Sequence, residues 1–176
     1  VNTQNKNLLF DTSPDLRVQS IKNNINTIDA VLWTHAHADH ANGIDDLRQF
    51  LWSKKEKLPV YGSKQTISDL KTRFSYIFEQ NNSYFQPPLD INIIENNDFN
   101  VGDINVISFK QNHGKEITLG FKINNFVYST DVKSFPEESE KYFKQIANNE
   151  IKPYKDKLHQ AGWLNKETGE WDMNWV

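Results

Sequence analysis

An apolar run, Ile28-Asp29-Ala30-Val31-Leu32-Trp33-Thr34, leads directly into His35-Ala36-His37-Ala38-Asp39-His40. The run has the length and residue types of a buried strand. The hexapeptide after it suits neither a core nor an ordinary surface. Three imidazoles and a carboxylate, spaced by alanines, would be costly to bury without partners. At a strand end they make sense as ligands of a metal ion, since neutral imidazole and carboxylate both offer lone pairs near pH 7. The bland alternative is a solvated loop of chance composition. A well-marked strand before the cluster and a helix after it argue against that.

Composition narrows the metal chemistry. The chain has no cysteine, which excludes disulfides and thiolate ligands. Nitrogen and oxygen donors suit Zn, Mn, Fe or Ni. With 176 residues, 37% hydrophobic and 12% aromatic, the chain can build one domain with a real core. The net charge of −3 gives no general attraction to nucleic acid or an anionic membrane. Lys54-Lys55-Glu56-Lys57 is read as a solvated helix end, and Asn81-Asn82-Ser83 as a chance glycosylation sequon. No apolar stretch is long enough to span a membrane and no signal peptide is visible, so cytoplasm is the expected compartment.

Hydrophobic periodicity organises the rest. Leu8-Leu9-Phe10 is a short strand ending in Asp11; Ser13 is expected to cap a helix with Pro14 at its first position. That helix would bury Leu16 and Ile21, with Val18 and Ile25. Ile44, Leu47 and Leu51 predict a helix over 43–53. A strand at 58–62 precedes a helix capped by Ser63, with Ile67, Leu70, Phe74, Ile77 and Phe78 on its apolar face. A loop is expected at 81–88. Strands are expected at 91–94, 104–109, 117–123 and 126–130, with Asn124-Asn125 as a hairpin turn. Pro136 opens a last helix carrying Tyr142, Phe143 and Ile146. Strands mixed with helices imply a layered α/β domain with mixed sheets.

Spacing suggests how the cluster could be used. His35 and His37, two apart, can point to one side of an extended turn. Asp39 and His40 lie beyond a bend, so a second neighbouring metal is suggested. His113 and Asp131 each follow a predicted strand, where site residues are commonly presented. Taken alone, His113 is more simply a structural histidine and Asp131 a turn residue; the 35–40 cluster favours both as ligands.

His-x-His-x-Asp-His after an apolar strand resembles the signature of the metallo-β-lactamase fold superfamily. The longer stretch Thr34-His35-Ala36-His37-Ala38-Asp39-His40-Ala41-Asn42-Gly43-Ile44-Asp45-Asp46-Leu47-Arg48 resembles PhnP-like phosphodiesterases, which cleave phosphoribosyl 1,2-cyclic phosphate. Leu9-Phe10-Asp11-Thr12-Ser13-Pro14-Asp15-Leu16-Arg17, Phe74-Ser75-Tyr76-Ile77-Phe78-Glu79 and Tyr128-Ser129-Thr130-Asp131-Val132 extend the likeness over roughly residues 8–140.

The resemblance implies an αββα sandwich of mixed sheets. It implies two divalent metal ions, Zn or Mn. His35, His37 and His113 would hold one, Asp39 and His40 the second, and Asp131 would bridge both. Asp11 would lie behind the ligands and orient a histidine or the loop; capping the next helix is its bland alternative. Asp39 would also be catalytic, orienting a metal-bound hydroxide or relaying its proton as that hydroxide attacks a small cyclic phosphate ester.

After about residue 148 the chain departs from the pattern. A further strand and a histidine-bearing segment are missing, and His159 lies in polar surroundings. The expectation is therefore a domain over 1–149, truncated in its C-terminal half, with a divergent tail over 150–176 that carries three tryptophans between 163 and 175. The second metal should bind more weakly, lacking its last histidine. Expected partners are the small substrate and, as an open option, a second copy in a homodimer; a membrane and nucleic acid are not expected. Two alternatives stand beside the phosphodiesterase. One is a tRNA 3′-processing nuclease of the same fold, which wants a basic surface. The other is a non-catalytic metal-binding remnant. Flavodiiron-type redox chemistry is disfavoured, since such relatives carry Glu where His37 stands.

Overall fold

The computed structural model describes residues 1–3, 6–51, 56–79, 88–95 and 97–146. The expectations for 150–176, His159, Asn81-Asn82-Ser83 and Lys54-Lys55, and most of the 81–88 loop, lie outside the described residues. The chain divides into two compact units, Val1–Val106 and a second from Ile107 onward.

The first unit is built on a five-stranded sheet in sequence order: β1 (Asn2–Thr3), β2 (Lys6–Phe10), β3 (Ala30–Leu32), β4 (Leu58–Gly62) and β5 (Leu89–Ile93). β1 runs antiparallel to β2; the remaining neighbours are parallel. Parallel neighbours need crossovers, and the helices supply them. Ala30, Val31 and Leu32 are all fully buried. Successive side chains point to opposite faces, so both faces of β3 are covered, which is why it reads as an unbroken apolar run.

Helices cover the sheet where their apolar residues demand it. Ser63 caps α4 (Lys64–Arg73), its hydroxyl oxygen accepting from the Thr66 amide at 3.1 Å, a bond worth about 1 kcal/mol. Ile67 and Leu70 from α4, and Ile77 and Phe78 from α5 (Ser75–Phe78), join Val31, Trp33, Leu47 and Val60 in one core. The single helix expected over this stretch is broken at Phe74, whose φ of −125° is not helical. The helix expected over 43–53 is likewise divided. It becomes a 3₁₀ turn (Ile44–Leu47) followed by α3 (Arg48–Leu51), and a separate four-residue α2 (Ala38–Ala41) precedes the expected range.

The first helix corrects two expectations. α1 spans Leu16–Lys22, starting after Ser13, whose hydroxyl instead donates to the Asp15 carboxylate at 2.6 Å. Only Leu16 and Ser20 of α1 are buried, while Val18 and Ile21 are 66% and 69% exposed. Leu16 and Ser20, four apart, share the buried face; Val18 and Ile21 lie round the far side of the helix, and Ile25 falls beyond its end.

A strand not among the expectations, β6 (Asp98–Val101), precedes β7 (Ile104–His113). In the second unit β7 pairs antiparallel with β8 (Glu116–Ile123), and β8 with β9 (Phe126–Tyr128). The predicted Asn124-Asn125 turn joins β8 and β9, with Asn124 at φ 50° and Ile123 opposite Phe126. The Phe109 ring crosses so close to Gly120 that a Cβ there would sit 2.2 Å from it. Tyr142 of α6 (Glu137–Ile146) stacks on the same ring at 5.6 Å. No helix among the described residues is long and apolar enough to cross a membrane.

Candidate metal centre

β2 and β3 are parallel neighbours, so their C-terminal ends emerge side by side. β2 ends at Phe10, and the next residue, Asp11, adopts φ 58°, a left-handed conformation that costs an L-residue roughly 1–2 kcal/mol. The turn aims a 4%-exposed carboxylate across the end of β3. Oδ1 accepts from the Thr34 amide at 2.8 Å. The Thr34 hydroxyl donates to Oδ2 at 2.9 Å, and His40 Nδ1 reaches the same Oδ2 at 2.8 Å. Thr34 Oγ1 also lies 2.9 Å from His35 Nδ1.

These contacts assign the protons. A carboxylate only accepts, so the His40 Nδ1–H donates to Asp11. The single Thr34 hydroxyl proton goes to Asp11 as well, so Thr34 Oγ1 accepts from the His35 Nδ1–H. With Nδ1–H engaged in both rings, Nε2 is the nitrogen whose lone pair a metal would take.

The loop between them is held from two further sides. Thr12 donates its amide to the His40 carbonyl at 2.7 Å, and its hydroxyl to the Ala41 carbonyl at 3.2 Å. Trp33 Nε1 donates to the Thr12 hydroxyl oxygen at 3.0 Å. The Gly43 amide donates to the Thr12 carbonyl at 2.9 Å; a Cβ on Gly43 would sit 2.0 Å from the Ser13 carbonyl oxygen. Only glycine allows this approach. On the other side the Arg73 guanidinium donates to the Ala36 carbonyl and, at 2.5 Å, to Asn42 Oδ1.

The predicted residues of the first unit accordingly converge. The His35 ring centroid lies 4.5 Å from that of His37 and 4.3 Å from that of His40. Asp39 Oδ2 lies 3.4 Å from His40 Nε2. His35 and His40 are buried, whereas His37 and Asp39 face solvent. A buried base with an exposed rim gives a ligand access from one side.

His113 and Asp131 belong to the second unit. His113 is the last residue of β7, which runs four residues beyond the predicted end at Phe109. Asp131 sits in the loop after β9 with φ 53°, and its Oδ2 lies 3.9 Å from His113 Nε2. Gln111 and Asn112, adjacent to His113, hold that loop. Sequence reasoning passed over these two, and also Thr12, Thr34 and Arg73. Gln111, Asn112, Thr12 and Thr34 lie next to or near a predicted site residue, whereas Arg73, the last residue of α4, carries no such sequence signal.

The donor set is imidazole nitrogen and carboxylate oxygen throughout, which fits a divalent ion such as Zn or Mn. Residues 6–150 match the family described as the Beta-lactamase superfamily domain.

The chain belongs to the metallo-β-lactamase superfamily.

Its fold is that of this hydrolase superfamily, and divalent metal ions are part of what the fold implies. The structure is similar to that of a new diphosphatase from the PhnP family, with 29% identity and a TM-score of 0.70 over 80% of this chain and 53% of that one. With the signature residues, this places the chain in the PhnP-like branch. Similarity to the metallo-β-lactamase fold protein YhfI from Bacillus subtilis, at 17% identity and TM-score 0.52, covers 70% of this chain and 49% of that one, and concerns the fold alone. A Porphyromonas gingivalis protein named octanoyltransferase is 35% identical over 134 residues, 76% of this chain but 27% of that protein. The chain thus spans about half the length of the PhnP-family structure and about a quarter of the curated relative.

Proposed function

We propose that this metallo-β-lactamase-fold chain carries the metal-holding part of a phosphodiesterase acting on a small cyclic phosphate ester. The observation that carries the reading is the Asp11 network, which prepares two imidazoles, His35 and His40, with Nε2 as the ligating atom. His35, His37 and His113 would hold one divalent ion, Asp39 and His40 the other, and Asp131 would serve both. Such ions supply Lewis acidity at a phosphoryl oxygen and make water a competent nucleophile near neutral pH.

The chain's own residues do the rest. Asp11 and Thr34 hold His40 and His35 by Nδ1, so that Nε2 of each ring is the atom presented to an ion. Asp39, exposed beside His40, takes the proton of the attacking water on a carboxylate oxygen. Thr12 and Arg73 keep the loop from relaxing away from this arrangement. The phosphoryl substrate is supported by the likeness to a PhnP-family diphosphatase. A net charge of −3 fits a small anion held by metals better than a long nucleic acid held by a basic surface. The octanoyltransferase name belongs to a protein that the match covers only over 27% of its length, and a thiolate route to acyl transfer has no cysteine here.

The test is hydrolysis of bis-p-nitrophenyl phosphate with added Mn or Zn, comparing this chain with His37→Ala. Metal-dependent turnover that drops at least about 100-fold on substitution supports the site. Turnover that survives His37→Ala removes it.

A further inference from the structure

We propose that Gln111 is a positioning residue for Asp131, acting through the peptide that precedes it; this rests on the metal reading above. Gln111 is fully buried and stands two residues before His113 on β7, so both side chains point to the same face. Its amide is used at both ends. Nε2 donates to the Thr130 carbonyl at 3.1 Å and to Thr118 Oγ1 at 3.2 Å, while Oε1 accepts from the Ser129 hydroxyl.

The Thr130 carbonyl belongs to the peptide plane that ends at the Asp131 nitrogen. Anchoring it sets the direction in which the Asp131 Cα leaves the strand. The far side of the loop is anchored by the next residue: Asn112 exchanges backbone bonds with Ser134 and Lys133 at 2.9 and 2.8 Å, and its Nδ2 donates to Ser134 Oγ at 2.9 Å. Asp131 lies between these two anchors with φ 53°, a conformation that persists only when its surroundings impose it. The end of β7 therefore carries His113 directly and Asp131 through Gln111 and Asn112. The 3.9 Å between the two side chains follows from one strand.

A merely structural Gln111 would also be buried and satisfied, so the test separates the two roles. Co(II) is added to the full chain, and its visible spectrum and affinity are measured for wild type, Gln111→Met, Thr118→Val and Asp131→Asn. Thr118→Val removes the amide's bond to β8 but leaves both bonds to the loop. The expected result is that Gln111→Met alters the Co(II) spectrum and weakens binding about 10–100-fold, the usual effect of losing a group that orients a ligand. Thr118→Val should keep the wild-type spectrum and affinity even where thermal stability falls.

A wild-type spectrum and affinity for Gln111→Met, with Asp131→Asn impaired, overturns the positioning role and leaves the metal reading intact. Equal effects from Thr118→Val and Gln111→Met also overturn it. Wild-type Co(II) binding by Asp131→Asn overturns the metal reading itself. If Gln111→Met fails to fold, Ser129→Ala removes one of the two bonds to the loop; it should shift the spectrum in the same direction, and an unshifted spectrum counts against the proposal.

Discussion

The Asp11 carboxylate, from the end of β2, lies 2.8 Å from His40 Nδ1 in the loop beyond β3, twenty-nine residues later. The same group accepts the Thr34 hydroxyl and through it governs His35. Asp11→Asn should therefore disturb two imidazoles at once, because an amide offers a donor where an acceptor is needed. Metal affinity is expected to fall about 10–100-fold. Isothermal titration of Zn into apo protein measures it, and unchanged affinity would refute the orienting role.

Gly43 faces the Ser13 carbonyl at a separation no side chain tolerates. Gly43→Ala must push the Thr12–Ser13 segment away from the histidine loop. Overpacking of this kind costs about 1–3 kcal/mol. Urea unfolding should show that loss together with weaker metal binding; a variant as stable as wild type would mean the segment moves freely.

Metal occupancy should be unequal. One proposed site has three imidazoles and Asp131, a full tetrahedral set; the other has Asp39, His40 and Asp131. Calorimetric titration is expected to resolve a tight and a weak binding event. Two sites of equal affinity would contradict this ligand assignment.

Tyr76 donates its phenol to Asp45 Oδ2 at 2.5 Å, and this bond, helped by burial, raises its pKa above 10.0. A raised value in the folded state means the neutral phenol is favoured there. The resulting stabilisation is complete below 10.0 and is lost as pH rises through the folded value. Asp45→Asn should bring the titration back toward 10.0, which NMR of a labelled tyrosine ring can follow. A titration that does not move would show that Asp45 is not the cause.

Much of the fold was legible because burial imposes periodicity. The strand at Leu58–Gly62, the Ser63 cap and the Asn124-Asn125 turn all appear where apolar spacing and turn residues indicated. The failures have separate causes. Val18 and Ile21 have the right spacing but face solvent, since spacing says which residues share a face and not whether anything covers it. β6 was missed because Asp98-Phe99-Asn100-Val101 does alternate but, at four residues with two apolar positions, is too short to stand out.

Sequence alone determined the chemistry: which donors exist, that none is a thiolate, and that four of them crowd the end of one apolar strand. It could not determine which nitrogen of each imidazole carries the proton. Proton placement depends on partners such as Asp11 that adjoin the ligands only because β2 and β3 pair in parallel. In the same way, Gln111 is an ordinary polar residue until the β7–β8 pairing and the return of the chain after β9 bring Thr118 and Thr130 to its amide. Which side chains can offer a donor is local and written in the chain; how they are oriented is a product of contacts between segments far apart in it.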